Sequence, residues 1–324
     1  MEIKKSRKHK LHSARRLGKI GVLMGGPSSE RAISLKSGKA VCQSLAGAGF
    51  NAIAIDIHSD KFGENSRLLK SHNIDCAFLA LHGRFGEDGQ IQGLLDALRI
   101  PYTGSGAKAS RLAMDKISSR SIFKEHGLNV PLCNILRKKS YKAGRASSNL
   151  SLPLVVKPAT HGSSIGLSIV DRLEDLDAAI ELAFGYDERI IVEEYIKGRE
   201  VTVGILDEQP LPVIEIIPRS RFFDYEAKYK VGMTDYIVPA KLNKTLAEDI
   251  KSVGLTAHKL LKCSGCSRVD MILSNDKAPF VLEVNTIPGL TETSLLPKAA
   301  KTVGIDFLEL CLKLIELAYA KKKS

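Results

Sequence analysis

The stretch Pro279-Phe280-Val281-Leu282-Glu283-Val284-Asn285-Thr286-Ile287-Pro288-Gly289-Leu290-Thr291 decides the reading of this chain. Phe280, Leu282 and Val284 alternate with Val281, Glu283 and Asn285, a period of two that predicts a β-strand. One face is expected to be wholly apolar, while the other carries a carboxylate and an amide two residues apart. An unpaired charge on a buried sheet surface is costly to desolvate. Glu283 and Asn285 side by side therefore point to a hard cation, which takes oxygen ligands.

Just upstream, Ser267-Arg268-Val269-Asp270-Met271-Ile272-Leu273 puts Arg268 and Asp270 on one face and Val269, Met271 and Leu273 on the other. Between the two runs, Ser274-Asn275-Asp276-Lys277 is rich in turn formers, which predicts a hairpin. The hairpin brings Asp270 beside Glu283 and Asn285, with Arg268 nearby. Two such residues fit a structural Arg–carboxylate pair equally well. Four polar residues on one face favour a Mg²⁺ site.

Working outward, the chain alternates strand and helix from Lys19. Lys19–Met24 reads as a strand, Gly25-Gly26-Pro27-Ser28 as a turn, and Ser29 to about Leu45 as a helix. Asn51–Ile57 and Ile74–Leu81 follow as strands and Gln90–Leu98 as a helix, the rhythm of a small parallel sheet. Ligands of such sheets collect at the carboxyl ends of strands, where both Gly25-Gly26 and His82-Gly83-Arg84-Phe85-Gly86-Glu87-Asp88-Gly89 fall. No G-x-G-x-x-G follows the first strand, so a dinucleotide site is not expected.

Lys138–Leu150 is polar and lysine-rich, an exposed loop by composition. Leu152–Lys157 is read as a strand leading into His161-Gly162-Ser163-Ser164-Ile165-Gly166, whose backbone N–H groups suit phosphate oxygens. Leu173–Phe184 is expected to be helical, Ile190–Tyr195 and Glu200–Leu206 to be strands, and Arg219–Asp235 a mobile loop. Thr245–Lys262 is a helix, and another helical region closes the chain.

The 324 residues allow two or three domains, and 44% hydrophobic and 26% charged content is that of an ordinary globular protein. No run of 18 apolar residues is present, and the basic start is followed by no apolar signal region, so neither a membrane span nor secretion is expected. Of the net charge of +12, +7 lies in residues 1–19 and +3 in Lys321–Lys323, leaving +2 for everything between. A nucleic-acid-binding face would carry that charge on the folded body instead. The six cysteines include one C-x-x-C, Cys263-Ser264-Gly265-Cys266, with no matched second pair for zinc. Buried free thiols in a reducing cytoplasm account for them.

These motifs, in this order, resemble the D-alanine–D-alanine ligases of the ATP-grasp superfamily. The resemblance runs from about Lys19 to the last helix. It is carried by Gly25 to Arg31, His82 to Gly89, Tyr102-Thr103-Gly104-Ser105-Gly106, Ala113-Met114-Asp115-Lys116, Lys157 to Gly166, Phe223 to Tyr229, Arg268-Val269-Asp270 and Glu283 to Gly289. It implies an α/β ATP-grasp fold. A basic extension (1–18) precedes an N-terminal parallel α/β domain (19–115), then come two α+β grasp subdomains (116–205 and 206–324), with ATP held between their sheets. D-alanine is the implied substrate, with a cytoplasmic homodimer and no nucleic-acid or membrane partner.

Residue by residue, the resemblance implies phosphate-binding roles for Lys116 and Lys157, and for Lys228 from the mobile loop. Glu193 matches an adenine-side hinge glutamate, with Glu194 and Ile196 beside it, and Glu200 a ribose-binding one. Read alone, either lysine would be a solvated surface residue and Glu193-Glu194 a solvated strand end. Asp270, Glu283 and Asn285 match ligands of Mg²⁺, with two ions usual and Mn²⁺ able to substitute. Glu30 matches the partner of the first D-alanine's ammonium, while Ser163 and Tyr229 join it in a hydrogen-bond network that shuts the loop. Arg268 and the backbone N–H of Gly289 match the oxyanion donors. His82 lies in the same substrate region, and Ser294 with the backbone of Leu295 matches the site for the second D-alanine's carboxylate. A D-alanine–D-lactate ligase is the nearest alternative, and Tyr229 argues against it. A non-catalytic nucleotide-binding regulator is opposed by the intact metal triad and both phosphate lysines.

Overall fold

Apolar and small residues fill Ile20–Gly25, and every one of them is buried in strand β1. Such a strand needs cover on both faces, as in a parallel sheet. The computed structural model describes residues 17–141, 149–219, 230 and 232–321. In it, β1 lies between β2 (Ala52–Ile57) and β3 (Cys76–Leu79), and both pairings are parallel. Helices α1 (Arg31–Gly47), α2 (Phe62–His72), α3 (Gln90–Ala97) and α4 (Ala107–Met114) complete the segment up to Met114. The tight exit from β1 runs through Gly25 and Gly26, at φ +84° and +87°, conformations that L side chains rarely adopt.

Helix α5 (Lys116–Glu125) follows at once, its first turn capped by Asp115, whose side chain accepts from the N–H groups of Ile117 and Ser118. The second sheet is antiparallel, in the order β4 (Cys133–Arg137), β7 (Arg189–Glu194), β5 (Leu154–Pro158), β6 (Ser168–Val170), with α6 (Leu176–Phe184) packed on it. The expected helix from Leu173 begins instead as a 3₁₀ turn over Leu173–Asp175.

The third sheet runs β11 (Thr234–Ile237), β10 (Ile214–Pro218), β8 (Gly198–Leu206), β12 (Cys266–Ser274), β13 (Ala278–Asn285), with the short β9 (Gln209–Pro210) on β8. β8, which spans the expected junction at residue 205, is central to this sheet and pairs with β10 and β12. Helix α7 (Lys244–Leu260) covers one face. Thr234 and Asp235, read from sequence as loop, belong to β11 because β10 supplies an open edge for them. Residues 220–229 and 231 of that expected loop, and with them Lys228 and Tyr229, lie outside the described residues.

The predicted hairpin is present, turning through Asn275 and Asp276 at φ +50° and +53°, the primed turn that suits the twist of paired strands. Its alternation is broken, however. Asp270 faces Glu283 but Met271 faces Val281, so Leu282 is an extra residue and forms a β-bulge. Val281 and Val284 are buried together, while Phe280 and Leu282 are only half-buried. The expected single apolar face of Phe280, Leu282 and Val284 therefore does not exist, since one inserted residue switches the parity of the strand.

Helices α8 (Leu295–Thr302) and α9 (Phe307–Lys321) return to the first sheet, where Leu296, Leu310 and Leu314 share one core with Val22, Val41 and Phe78. The Tyr319 hydroxyl donates to the Leu17 carbonyl at 2.6 Å. All six cysteines are free thiols, four of them buried. Among the described residues no helix is long and apolar enough to cross a membrane.

Candidate active site

Two cavities of about 440 and 420 Å³ lie between the sheets, and Lys116 and Glu283 line both. The first is walled by Glu30, His82, Ser163, Arg268 and Asn285, and by Gly289, Ser294 and Leu295 at the start of α8. The second holds Lys157, Glu193, Glu194, Ile196, Glu200 and Asp270, with Leu282, Met271 and Ile217 as apolar walls. The structure thus gathers every described candidate residue around two joined chambers.

Around the first chamber, Glu30 closes the loop after β1, and its carboxylate accepts the hydroxyl proton of Ser163 from the glycine-rich loop after β5. Ser163 and Ser164 sit at φ +52° and +56°, a left-handed backbone that costs energy for non-glycine residues and recurs at functional sites. Gly83, at φ +71°, passes so close that a Cβ there would lie 2.5 Å from Glu30 Oε2, so a side chain would be strained and would displace that carboxylate. His82 is buried, its Nε2 3.1 Å from Ser37 Oγ. Burial pushes its pKa down to about 4, with the nearby Arg268 charge adding to the effect, so the ring is neutral at physiological pH.

Glu87 belongs to the motif after β3 but had no role assigned from sequence. Its Oε2 accepts the Gly83 N–H at 2.6 Å, and burial, reinforced by the Glu30 carboxylate, raises its pKa to about 8. Burial therefore keeps the Glu87 carboxyl protonated at neutral pH. At the other end, Ser294 Oγ accepts from the Thr291 N–H at 3.1 Å. That contact fixes the turn between Gly289 and α8.

In the second chamber, Glu193 and Lys157 are not the solvated residues that their types alone would suggest. Glu193 is 3% exposed, Lys157 8% and Lys116 6%. Lys157 Nζ lies 2.7 Å from Glu193 Oε1, and Arg120, 3% exposed, pairs with Glu193 Oε2. Burial raises the Glu193 pKa, but the Arg120 and Lys157 charges outweigh it and hold the carboxyl below its ordinary range. Burial first, and Arg120 second, push Lys157 down to about 8. Arg120 was missed from sequence. Its spacing of four from Lys116 was the available signal, because residues i and i+4 share one helix face.

At the wall between the chambers, Lys116 Nζ stands 3.1 Å from Glu283 Oε2 and donates to the His161 carbonyl at 2.7 Å. Arg268 grips Asp270 through two bonds of 2.8 and 2.7 Å, and Thr202 Oγ1 donates to Asp270 Oδ1 at 2.6 Å. Asn285 Oδ1 accepts from the Ile287 N–H at 3.0 Å. Among the described residues there is no group of three or more His, Cys, Asp or Glu able to hold a metal. Two carboxylates and an amide nevertheless fit Mg²⁺, which is held by one or two carboxylates while substrate phosphates and water complete its shell.

Known proteins resemble this chain over most of its length. The family model described as D-ala D-ala ligase C-terminus matches residues 122–316, and that for the D-ala D-ala ligase N-terminus matches 58–105. A D-alanine–D-alanine ligase of Geotalea uraniireducens is 48% identical over 303 residues, covering 94% of this chain and 96% of the relative. One of Pelotomaculum thermopropionicum is 48% identical over 310 residues, covering 93% and 96%. The solved D-alanine–D-alanine ligase from Bacillus anthracis complexed with ATP superposes with a TM-score of 0.83 at 36% identity, covering 94% of this chain and 99% of that one. With two family models spanning most of its length and relatives of this similarity, the chain belongs to the D-alanine–D-alanine ligase family.

Proposed function

We propose that the protein joins two D-alanine molecules to D-alanyl-D-alanine at the expense of ATP, through a D-alanyl phosphate, for peptidoglycan precursor synthesis. The observation that carries the reading is the meeting of two chambers at one wall, Lys116 and Glu283. A carboxylate in the first chamber can there receive a phosphoryl group from the second. We assign D-alanine to the first chamber and ATP to the second. The working form is read as a cytoplasmic homodimer.

In this reading Glu30 holds the ammonium of the first D-alanine, with Ser163 fixing the carboxylate that does so. Lys116 and Lys157 hold phosphate oxygens, Glu193, Glu194 and Ile196 border the base, and Glu200 takes the ribose. Asp270, Glu283 and Asn285 would hold Mg²⁺ or Mn²⁺, in two ions. When bound, the metal supplies charge neutralisation for phosphoryl transfer. Arg268 and the Gly289 N–H are aimed at the oxyanion that forms when the second amine attacks the activated carbonyl. Ser294 and the backbone of Leu295 receive the second carboxylate. Protonated Glu87 keeps a second negative charge out of the chamber, and neutral His82 adds no positive one. Lys228 and Tyr229 retain their assigned parts, phosphate contact and closure over Glu30, as proposals outside the described residues.

ADP release measured across a panel of D- and L-amino acids tests the activity. Turnover is expected only with D-alanine and Mg²⁺ together, and equal release with L-alanine or without an amino acid would overturn it.

The buried Lys157 adds a pH dependence. A lysine that loses its proton near pH 8 stops attracting phosphate above that value, and the ordinary lysine range begins about two units higher. ATP affinity is therefore expected to be level below about pH 8 and to weaken as pH rises above it. Calorimetric titration with ATP from pH 6.5 to 9.5 reads this directly, and a flat profile would mean that other groups hold the phosphates.

A further inference from the structure

Helix α5 reaches both grasp sheets from its first two turns. Asp115, its cap, receives Arg189 Nη2 at 3.0 Å, and the Lys116 N–H donates to the Ala159 carbonyl at 3.0 Å, so the helix start is fixed to the second sheet. One turn on, and on the same face as Lys116, Arg120 divides its guanidinium between the two sheets. Nη1 pairs with Glu193 of β7, while Nε and Nη2 reach the carbonyl of Leu282 in β13 at 3.4 and 3.3 Å.

The Leu282 carbonyl is no ordinary ladder acceptor. Leu282 is the inserted residue of the bulge, where the regular pairing with β12 is interrupted. It also precedes Glu283, the residue shared by both chambers, and its side chain lines the second one. Arg120 thus touches the pair that holds Lys157 and the kink that aims Glu283, with one planar group. A guanidinium can fork in this way because its donors are fixed in a plane, whereas an ammonium is a single point.

We propose that Arg120 is a positioning residue for phosphoryl transfer, holding the Glu193–Lys157 pair and the Leu282–Glu283 bulge in register across the two sheets. The proposal rests on the reading of Lys157 as a phosphate group holder and Glu283 as a metal ligand. Arg120 itself lines neither chamber. It couples them: nucleotide affinity and the benefit of Mg²⁺ depend on the same side chain.

The test uses the full chain with Arg120→Met and Arg120→Lys, titrating a non-hydrolysable ATP analogue by calorimetry with and without Mg²⁺, alongside thermal melting. Arg120→Met is expected to weaken analogue binding about tenfold, a typical size for coupling lost within one buried polar network, and to shrink the gain in affinity that Mg²⁺ gives. Arg120→Lys should restore binding without Mg²⁺ but not the Mg²⁺ gain, since one ammonium holds Glu193 or the Leu282 carbonyl and does not fork between them. A lowered melting temperature with both binding terms unchanged would show a purely structural role and overturn the proposal. So would weaker binding with the Mg²⁺ gain intact, which would leave Arg120 serving Glu193 alone. If Arg120→Met does not fold, Arg120→Lys decides, and a gain from Mg²⁺ equal to that of the parent protein overturns it. Glu283→Gln in the same titration keeps the two readings apart. An unaltered Mg²⁺ gain in that variant would sink the metal assignment itself, whatever Arg120 does.

Discussion

Arg268→Met is expected to lower turnover by about 10²–10³-fold, the loss that follows removal of one preorganised oxyanion donor. Arg268 lines the first chamber with Gly289 and is partly buried, which keeps its charge strong toward a reacting carbonyl. The same guanidinium is bound at 2.8 and 2.7 Å to Asp270, so the substitution also frees a carboxylate. That gives the experiment a second sign. If Arg268 competes with a cation for Asp270, its loss lowers the Mg²⁺ concentration needed for half-maximal rate while turnover collapses. Steady-state kinetics with Mg²⁺ varied separates the two effects. A variant with near-normal kcat and only a raised KM would show that Arg268 binds substrate and transition state equally.

The Mg²⁺ requirement of Glu283→Gln is expected to rise by at least about tenfold, in the range found when groups supporting a metal site are removed. The change keeps volume and removes one negative charge. A loss of stability is expected as well, because the partner Lys116 is 6% exposed and loses its counter-charge. Two measurements on one sample decide the matter: thermal melting without metal and the Mg²⁺ dependence of ADP release. Lower melting with an unchanged Mg²⁺ requirement would mean that the Glu283–Lys116 pair is structural only.

Much of this site was legible from the chain because turns and charges announce themselves. Asn275-Asp276 marked the hairpin turn, the glycine pair marked the exit from β1, and polar residues on β12 and β13 marked the wall between the chambers. The bulge at Leu282 was not legible. Phe280, Leu282 and Val284 satisfy perfect alternation, and nothing in residue type reveals that the partner strand skips one of them. Arg120 stayed hidden for a different reason. Its segment, Lys116–Glu125, is short and polar, and it earns its place through contacts with two sheets distant in sequence. Glu193 looked like a solvated strand end because ion-pair partners from α5 and β5 cannot be read from its neighbours. The setting of β8 within the third sheet likewise depends on β12, which follows much later.

The shared core of the first sheet with α8 and α9 has a consequence for how the molecule is made. During synthesis, β1, α1 and β3 emerge early, yet Val22, Val41 and Phe78 are closed over only when Leu296, Leu310 and Leu314 arrive. Contacts of such long sequence separation slow folding and leave apolar surface open in the meantime. The nascent first sheet therefore keeps apolar surface open until the last two helices are made. With Tyr319 bonded to Leu17, the two ends of the described chain finish side by side, so joining them and opening the chain at an exposed loop would let the late helices be translated next to the sheet they seal.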